Sequence, residues 1–91
     1  MSYEFRFSKN ALKSINKLDP FTRKMVLGWI EKKLSACGNP RYIGEALTGI
    51  HREYWRYRIG DYRLICDIQD GKMILLAVHI GHRREVYRKN L

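Results

Sequence analysis

Apolar and polar residues change their spacing twice along this chain, and each change marks a change of backbone. Tyr3, Phe5 and Phe7 alternate with Glu4 and Arg6, the period of two expected of a half-buried strand. Ser8 then stands where a helix cap belongs, ahead of Ala11, Leu12, Ile15 and Leu18 on one helical face. Asp19-Pro20 restarts the chain, with Asp19 as N-cap and Pro20 at the first helical position, where its missing N–H has no partner to lose. Phe21, Met25, Val26, Trp29, Ile30 and Leu34 recur at helical spacing until Gly38-Asn39-Pro40 stops the second helix. Residues 40 to 52 read as a connecting loop, with Leu47 and Ile50 dipping toward the core.

The period of two returns at Tyr54 and lasts to Ile59, where Gly60-Asp61 forms a hairpin turn into a strand from Tyr62 to Ile68. Asp70-Gly71 is a second hairpin signal, leading into Met73 to Ile80, whose unbroken apolar run predicts a central strand buried on both faces and ended by Gly81. Residues 84 to 90 read as a short terminal helix or tail. The order β-α-α-β-β-β predicts an α+β fold, one domain over residues 1–91, with two N-terminal helices layered on one face of a mostly antiparallel sheet. Met25, Trp29 and Met73 read as core. The other face is left open, and chemistry is expected there.

Length fits that picture, since 91 residues hold one modest core, and 45% apolar residues suffice to fold it. Charge adds a partner class. Eighteen lysines and arginines against nine acidic residues give +9 and a pI near 9.9, which favours a polyanion such as RNA, DNA or an anionic surface. Met1-Ser2-Tyr3-Glu4 has no basic segment followed by an apolar one, and the run from Met73 to Val78 is too short to span a bilayer, so a cytoplasmic protein without a membrane partner is expected. Cys37 and Cys66 lack CxxC spacing and read as buried thiols of a reducing compartment.

Three stretches carry candidate chemistry. In Tyr54-Trp55-Arg56-Tyr57-Arg58, strand geometry points Tyr54, Arg56 and Arg58 one way and Trp55 and Tyr57 the other. Two arginines on one face repel, and are tolerated where that face is wet or meets an anion; a plain solvated edge explains them equally well. In Gly60-Asp61-Tyr62-Arg63, Arg63 is expected to emerge at the sheet rim, or to pair with Asp61 or Asp67. His82-Arg83-Arg84-Glu85-Val86-Tyr87 brings together side chains that suit phosphodiester chemistry. Arginines hold phosphate oxygens by forked hydrogen bonds, a histidine exchanges protons near neutrality, and a tyrosine stacks on a base or protonates a leaving oxygen. RNA supplies its own nucleophile, the 2′-hydroxyl, so neither metal nor cofactor is called for. His79 and His82 lack companions for a metal cage, and His79 reads as a core or rim residue.

With these residues in view, the chain resembles the RelE/ParE toxin superfamily, and its RelE branch in particular, over nearly its whole length. The resemblance rests on the opening Tyr-Glu-Phe-Arg-Phe strand, Leu47-Thr48-Gly49, the run from Tyr54 to Arg63 with its Arg-x-Gly-Asp-Tyr-Arg stretch, and Ile80-Gly81-His82-Arg83-Arg84-Glu85-Val86-Tyr87. It implies a toxin that enters the A site of the 70S ribosome and cuts mRNA there by 2′-hydroxyl attack, leaving a 2′,3′-cyclic phosphate without metal. It also implies a RelB-like antitoxin that wraps the toxin, with promoter DNA bound only through that complex. Arg63, Arg83, Tyr87 and His82 are the implied catalytic set, with Arg56, Arg58, Tyr54 and Arg84 on the substrate. Arg63 and Arg83 would steady the phosphorane, and Tyr87 would stack on the A-site base. The best-known relatives carry lysines where this chain has Arg56 and Arg58; arginine stays protonated and makes a poor base, so both read as phosphate clamps. The proton acceptor stays open, with His82 the local candidate. Two rivals share the pattern: a gyrase-poisoning toxin of the ParE branch, and an RNA- or ribosome-binding module without catalysis.

Overall fold

Both helices begin where their caps dictate. The computed structural model describes residues 3–35, 38–49 and 53–83. Strand β1 (Glu4–Phe7) ends at Ser8, whose hydroxyl accepts from the Ala11 amide at 3.1 Å and opens helix α1 (Lys9–Asn16). Asp19 accepts from the Thr22 amide at 3.1 Å and opens α2 (Pro20–Trp29), with Pro20 in its first turn. A π-helical turn, Ile30–Leu34, continues α2 without a break. Strands β2 (Glu45–Ala46), β3 (Tyr54–Ile59), β4 (Tyr62–Gln69) and β5 (Ile74–His82) follow among the described residues.

Among the described residues the strands form one five-stranded sheet in the order β1-β5-β4-β3-β2. The meander β3-β4-β5 is antiparallel, as its turns predict, while β1 runs parallel to β5 at the edge. Gly60 adopts φ +60° in the two-residue turn between Ile59 and Tyr62, a backbone that favours glycine. The core lies between the helices and one sheet face, where Ala11, Ile15, Val26, Ile30 and Leu34 meet Tyr57, Ile59, Leu64, Cys66, Leu75, Ala77 and Ile80. Burial raises the Cys66 thiol well above its ordinary range, which keeps it protonated and inert. Cys37 lies outside the described residues. Among the described residues, no helix is long and apolar enough to cross a membrane.

Several expectations need correction. The helical stripes are narrower than the apolar spacing implies: Val26, Ile30 and Leu34 recur every four residues, whereas Met25 sits about 100° round from Val26 and Phe21 further still. Met25 is therefore exposed rather than core, Phe21 is 79% exposed, and Leu12 turns away from the buried pair Ala11 and Ile15. The stretch read as a loop from 40 to 52 contains β2, paired with β3. Leu47 is buried, but on the far face of the sheet, where it and Ile65 form a small cluster flanked by Tyr54 and Val78. Ile50 lies outside the described residues. On that face Ile74, Leu76 and Val78 are only half covered, so β5 is not buried on both sides. β5 also runs through Gly81 to His82. The second turn is a four-residue link in which Asp70–Lys72 makes a 3-10 turn and Met73 takes a left-handed φ of 54°, half-buried and outside the core. Asp70 holds two distant segments there: its carboxylate accepts a forked pair from Arg41 at 2.9 and 3.0 Å and a hydrogen bond from the Tyr3 hydroxyl.

Candidate nucleic-acid interface

Trp55, Tyr57 and Ile59 pack into the helix-side core, so Tyr54, Arg56 and Arg58 face the opposite way, as alternation requires. Cross-strand register extends this face. Arg58 lies opposite Arg63, Arg56 opposite Ile65, and Tyr54 opposite Asp67, while Arg63 lies opposite Gly81 on β5. Gly81 brings no side chain to the spot. Arg83 follows directly after β5, its amide donates to the Asp61 carbonyl at 2.8 Å, which ties the end of β5 to the hairpin turn, and its charge reaches Arg63.

Arg63 records what these placements do electrostatically. Its proton affinity is lowered, first by burial and then by the positive charges of Arg58, Arg56 and Arg83. Three other guanidinium groups thus bear on Arg63. Arg63 donates to the carbonyls of Tyr62 at 3.1 Å and Gly60 at 3.4 Å. Neither Asp61 nor Asp67 forms an ion pair with it, and among the described residues Arg58 and Arg63 belong to no salt bridge. Tyr54 shares the face, half-buried against the cluster of Leu47 and Ile65. Arg84 and Tyr87 lie outside the described residues.

Glu45 is the residue that sequence reasoning missed. It pairs in register with Arg56 across β2 and β3, and the two side chains form an ion pair in which Arg56 is largely buried and Glu45 exposed. The hydrogen bond from Arg56, then its charge and those of Arg58 and Arg63, hold the Glu45 carboxyl below the usual range. Its placement depends on the segment before it. The Tyr57 hydroxyl donates to the Pro40 carbonyl at 2.6 Å and the Trp55 indole to the Ile43 carbonyl at 2.8 Å, stapling residues 40–43 across β3. Gly44, at φ +77°, then turns the chain into β2; a Cβ there would stand 2.8 Å from both the Trp55 indole nitrogen and Tyr57 Cδ1.

His82 is placed differently from the arginines. It lies opposite Tyr62, which alternates onto the same face as Leu64 and Cys66, so its ring sits on the helix-bearing side, 5.6 Å from the Tyr62 ring and nearly perpendicular to it. His79 is buried, with Nδ1 3.4 Å from the Ser14 hydroxyl. Among the described residues no three His, Cys, Asp or Glu side chains are grouped to hold a metal ion. What the arginine face offers is an array of fixed positive charges with forked donors, suited to a phosphate backbone.

Comparison with known proteins places the chain among toxins of toxin-antitoxin systems. Residues 5–87 match the family described as the ParE toxin of the type II toxin-antitoxin system parDE. A putative RelE-like toxin protein of Escherichia coli is 33% identical over 85 residues, which cover 91% of this chain and 85% of that protein. Toxin RelG of Mycobacterium tuberculosis is 28% identical over 89 residues, covering 98% of this chain and all of that one. Among solved structures, the toxin-antitoxin complex RelBE2 from Mycobacterium tuberculosis superimposes with a TM-score of 0.81 at 26% identity, covering 91% of this chain and 93% of the matched one.

Proposed function

The chain belongs to the RelE/ParE family of type II toxin-antitoxin toxins, and on that footing we propose that its arginine face cuts messenger RNA in the ribosomal A site. The observation that carries this reading is the gathering of Arg56, Arg58, Arg63 and Arg83 on one open face. A surface that only had to stay soluble would spread such charges, because like charges placed opposite each other on a sheet are destabilising.

Arg58 and Arg63 hold the oxygens of the scissile phosphate, joined by Arg83 as charge builds on the phosphorane. Arg56 enters with a carboxylate already bound. A phosphate oxygen that draws Arg56 away removes the hydrogen bond that most strongly depresses Glu45, and the carboxylate becomes a better proton acceptor as substrate seats. Glu45 then takes the 2′-hydroxyl proton, the 2′ oxygen bonds to phosphorus, and the bond from phosphorus to the 5′ oxygen breaks, leaving a 2′,3′-cyclic phosphate. The acceptor role passes to Glu45 rather than His82 because Glu45 shares the arginine face and His82 does not. Tyr87 is left its implied work of stacking on the A-site base and protonating the departing oxygen. An antitoxin silences the toxin by binding it, as the RelBE2 complex of the M. tuberculosis relative suggests.

The test is primer extension on a translated message with and without induction of the chain. Discrete cuts at A-site codons are expected, and Arg63→Ala is expected to abolish them while ribosome association survives. DNA breaks with intact messages would instead mark a gyrase poison. Cutting and binding that fall together, by about 1–3 kcal/mol per side chain, would mark a binding module.

A further inference from the structure

We infer that a second RNA-binding pocket lies behind the arginine face and takes one unpaired nucleobase by stacking, with little preference among bases. The inference rests on RNA being the substrate of that face. α1 stops at Asn16, and the link through Lys17, Leu18 and Asp19 turns away into α2 before it covers the last cross-strand pair, Tyr62 and His82. A recess of about 380 Å³ opens there, bounded by Ser14, Lys17, Asp19, Tyr62, Gly81 and His82. Its size is at the lower end of small-molecule sites, roughly 300–1,000 Å³. The buried Gly81 backbone bounds it, and Gly81 is also the residue opposite Arg63. The thickness of one strand therefore separates the recess from the phosphate-binding arginines. A single strand passing over the rim at Gly60-Asp61 can leave a phosphate on one side and a base on the other.

The lining chemistry selects the occupant. Two aromatic rings at 80° to each other give a planar heterocycle a face to lie on and an edge to abut. The rim supplies one cation, the exposed Lys17, for the attached phosphate. The remaining polar groups are already engaged: the Asp19 carboxylate caps α2 and accepts from the Thr22 hydroxyl at 2.6 Å, and the Ser14 hydroxyl donates to the Asn10 carbonyl at 3.0 Å. Few donors and acceptors are left to read the edges of a base, so stacking dominates and all four bases are accepted. One cation is too few to hold a free phosphate alone, and the His82 and Asp19 side chains are too few to hold a metal ion.

The experiment is a side-chain NMR titration of the full chain with adenosine 5′-monophosphate, cytidine 5′-monophosphate and ribose 5-phosphate. Both nucleotides are expected to shift the ring resonances of Tyr62 and His82 with affinities within a few-fold of each other, whereas ribose 5-phosphate leaves the Tyr62 ring unmoved. Tyr62→Leu is expected to weaken nucleotide binding at His82 about tenfold, the scale of one lost stack, and Tyr62→Phe to preserve it. If Tyr62→Leu unfolds, Lys17→Ala decides, with an expected few-fold loss for nucleotides. Ring resonances that stay still under nucleotide, an equal response to ribose 5-phosphate, or a response to one base alone would each overturn the inference. Guanidinium resonances of Arg58 and Arg63 report the cutting face separately. If they move while the rings do not, the pocket fails and the nuclease reading stands; if the rings alone move, the pocket stands as a base-binding site and primer extension decides the nuclease reading.

Discussion

Arg58→Gln separates a face built for anions from one that is merely basic, because it moves stability and activity in opposite directions. Arg58 lies directly opposite Arg63 on neighbouring strands, it is exposed, and its charge is the second largest influence on Arg63 after burial. Unit charges roughly 5 Å apart repel by about 0.8 kcal/mol in water. Screening at physiological salt, with a Debye length of about 8 Å, reduces this to about 0.4 kcal/mol. Removing the charge is therefore expected to stabilise the fold by about 0.4 kcal/mol, a rise of roughly 2–3 °C in Tm for a domain of this size. The gain should shrink when thermal unfolding is repeated at high salt. Cutting should fall by about tenfold or more, since a charge-assisted contact to phosphate is worth about 1.5–3 kcal/mol. Thermal scans at two salt concentrations and single-turnover cleavage in a translating extract read the two effects. A drop in Tm, a gain indifferent to salt, or unimpaired cutting would refute the reasoning.

Two further changes test what positions the face. Gly44→Ala is expected to cost about 2 kcal/mol in urea unfolding, because it combines a left-handed backbone with contacts at Trp55 and Tyr57; Gly49→Ala, at φ +70° with open space around its Cβ, should cost less than half as much. The Asp70 carboxyl is held down to about 2 by hydrogen bonds from Arg41 and then Tyr3, against an ordinary value of 3.8. A carboxyl depressed in the folded state adds stability above its unfolded value and loses it as pH falls through the folded one. Asp70→Asn should therefore lower the urea midpoint at pH 6, and the difference from the unsubstituted chain should shrink as the pH falls from about 4 and vanish below about 2.

Much of this fold is legible because its signals are local. Ser8 and Asp19-Pro20 announce helix starts, Gly60-Asp61 announces a turn, and the alternation from Tyr54 to Ile59 assigns Arg56 and Arg58 to one face whatever the sheet order. The parallel pairing of β1 with β5 joins residues about seventy positions apart and has no local cue. Glu45 escaped because a two-residue strand is too short to show a period. His82 shows how one residue can invert an assignment. Counting by twos from Ile74 and Leu76 would place His82 on the open face and Arg83 in the core. The register shift at Ile65/Cys66 leaves Val78 as an extra residue on β5, which sends Arg83 toward Arg63 and His82 toward the helices. Bulges arise from how two strands fit, and a single run of apolar residues does not reveal one.

The brevity of β2 has a consequence for how this molecule keeps company. A sheet border of two residues, one of them a glutamate already committed to a neighbouring guanidinium, offers almost no template for hydrogen bonding to another backbone. Copies of the chain, each carrying nine surplus positive charges, thus find no docking rail along β2 and repel one another as they approach it. Any polypeptide that lodges along this border must bring its own order and its own negative charge.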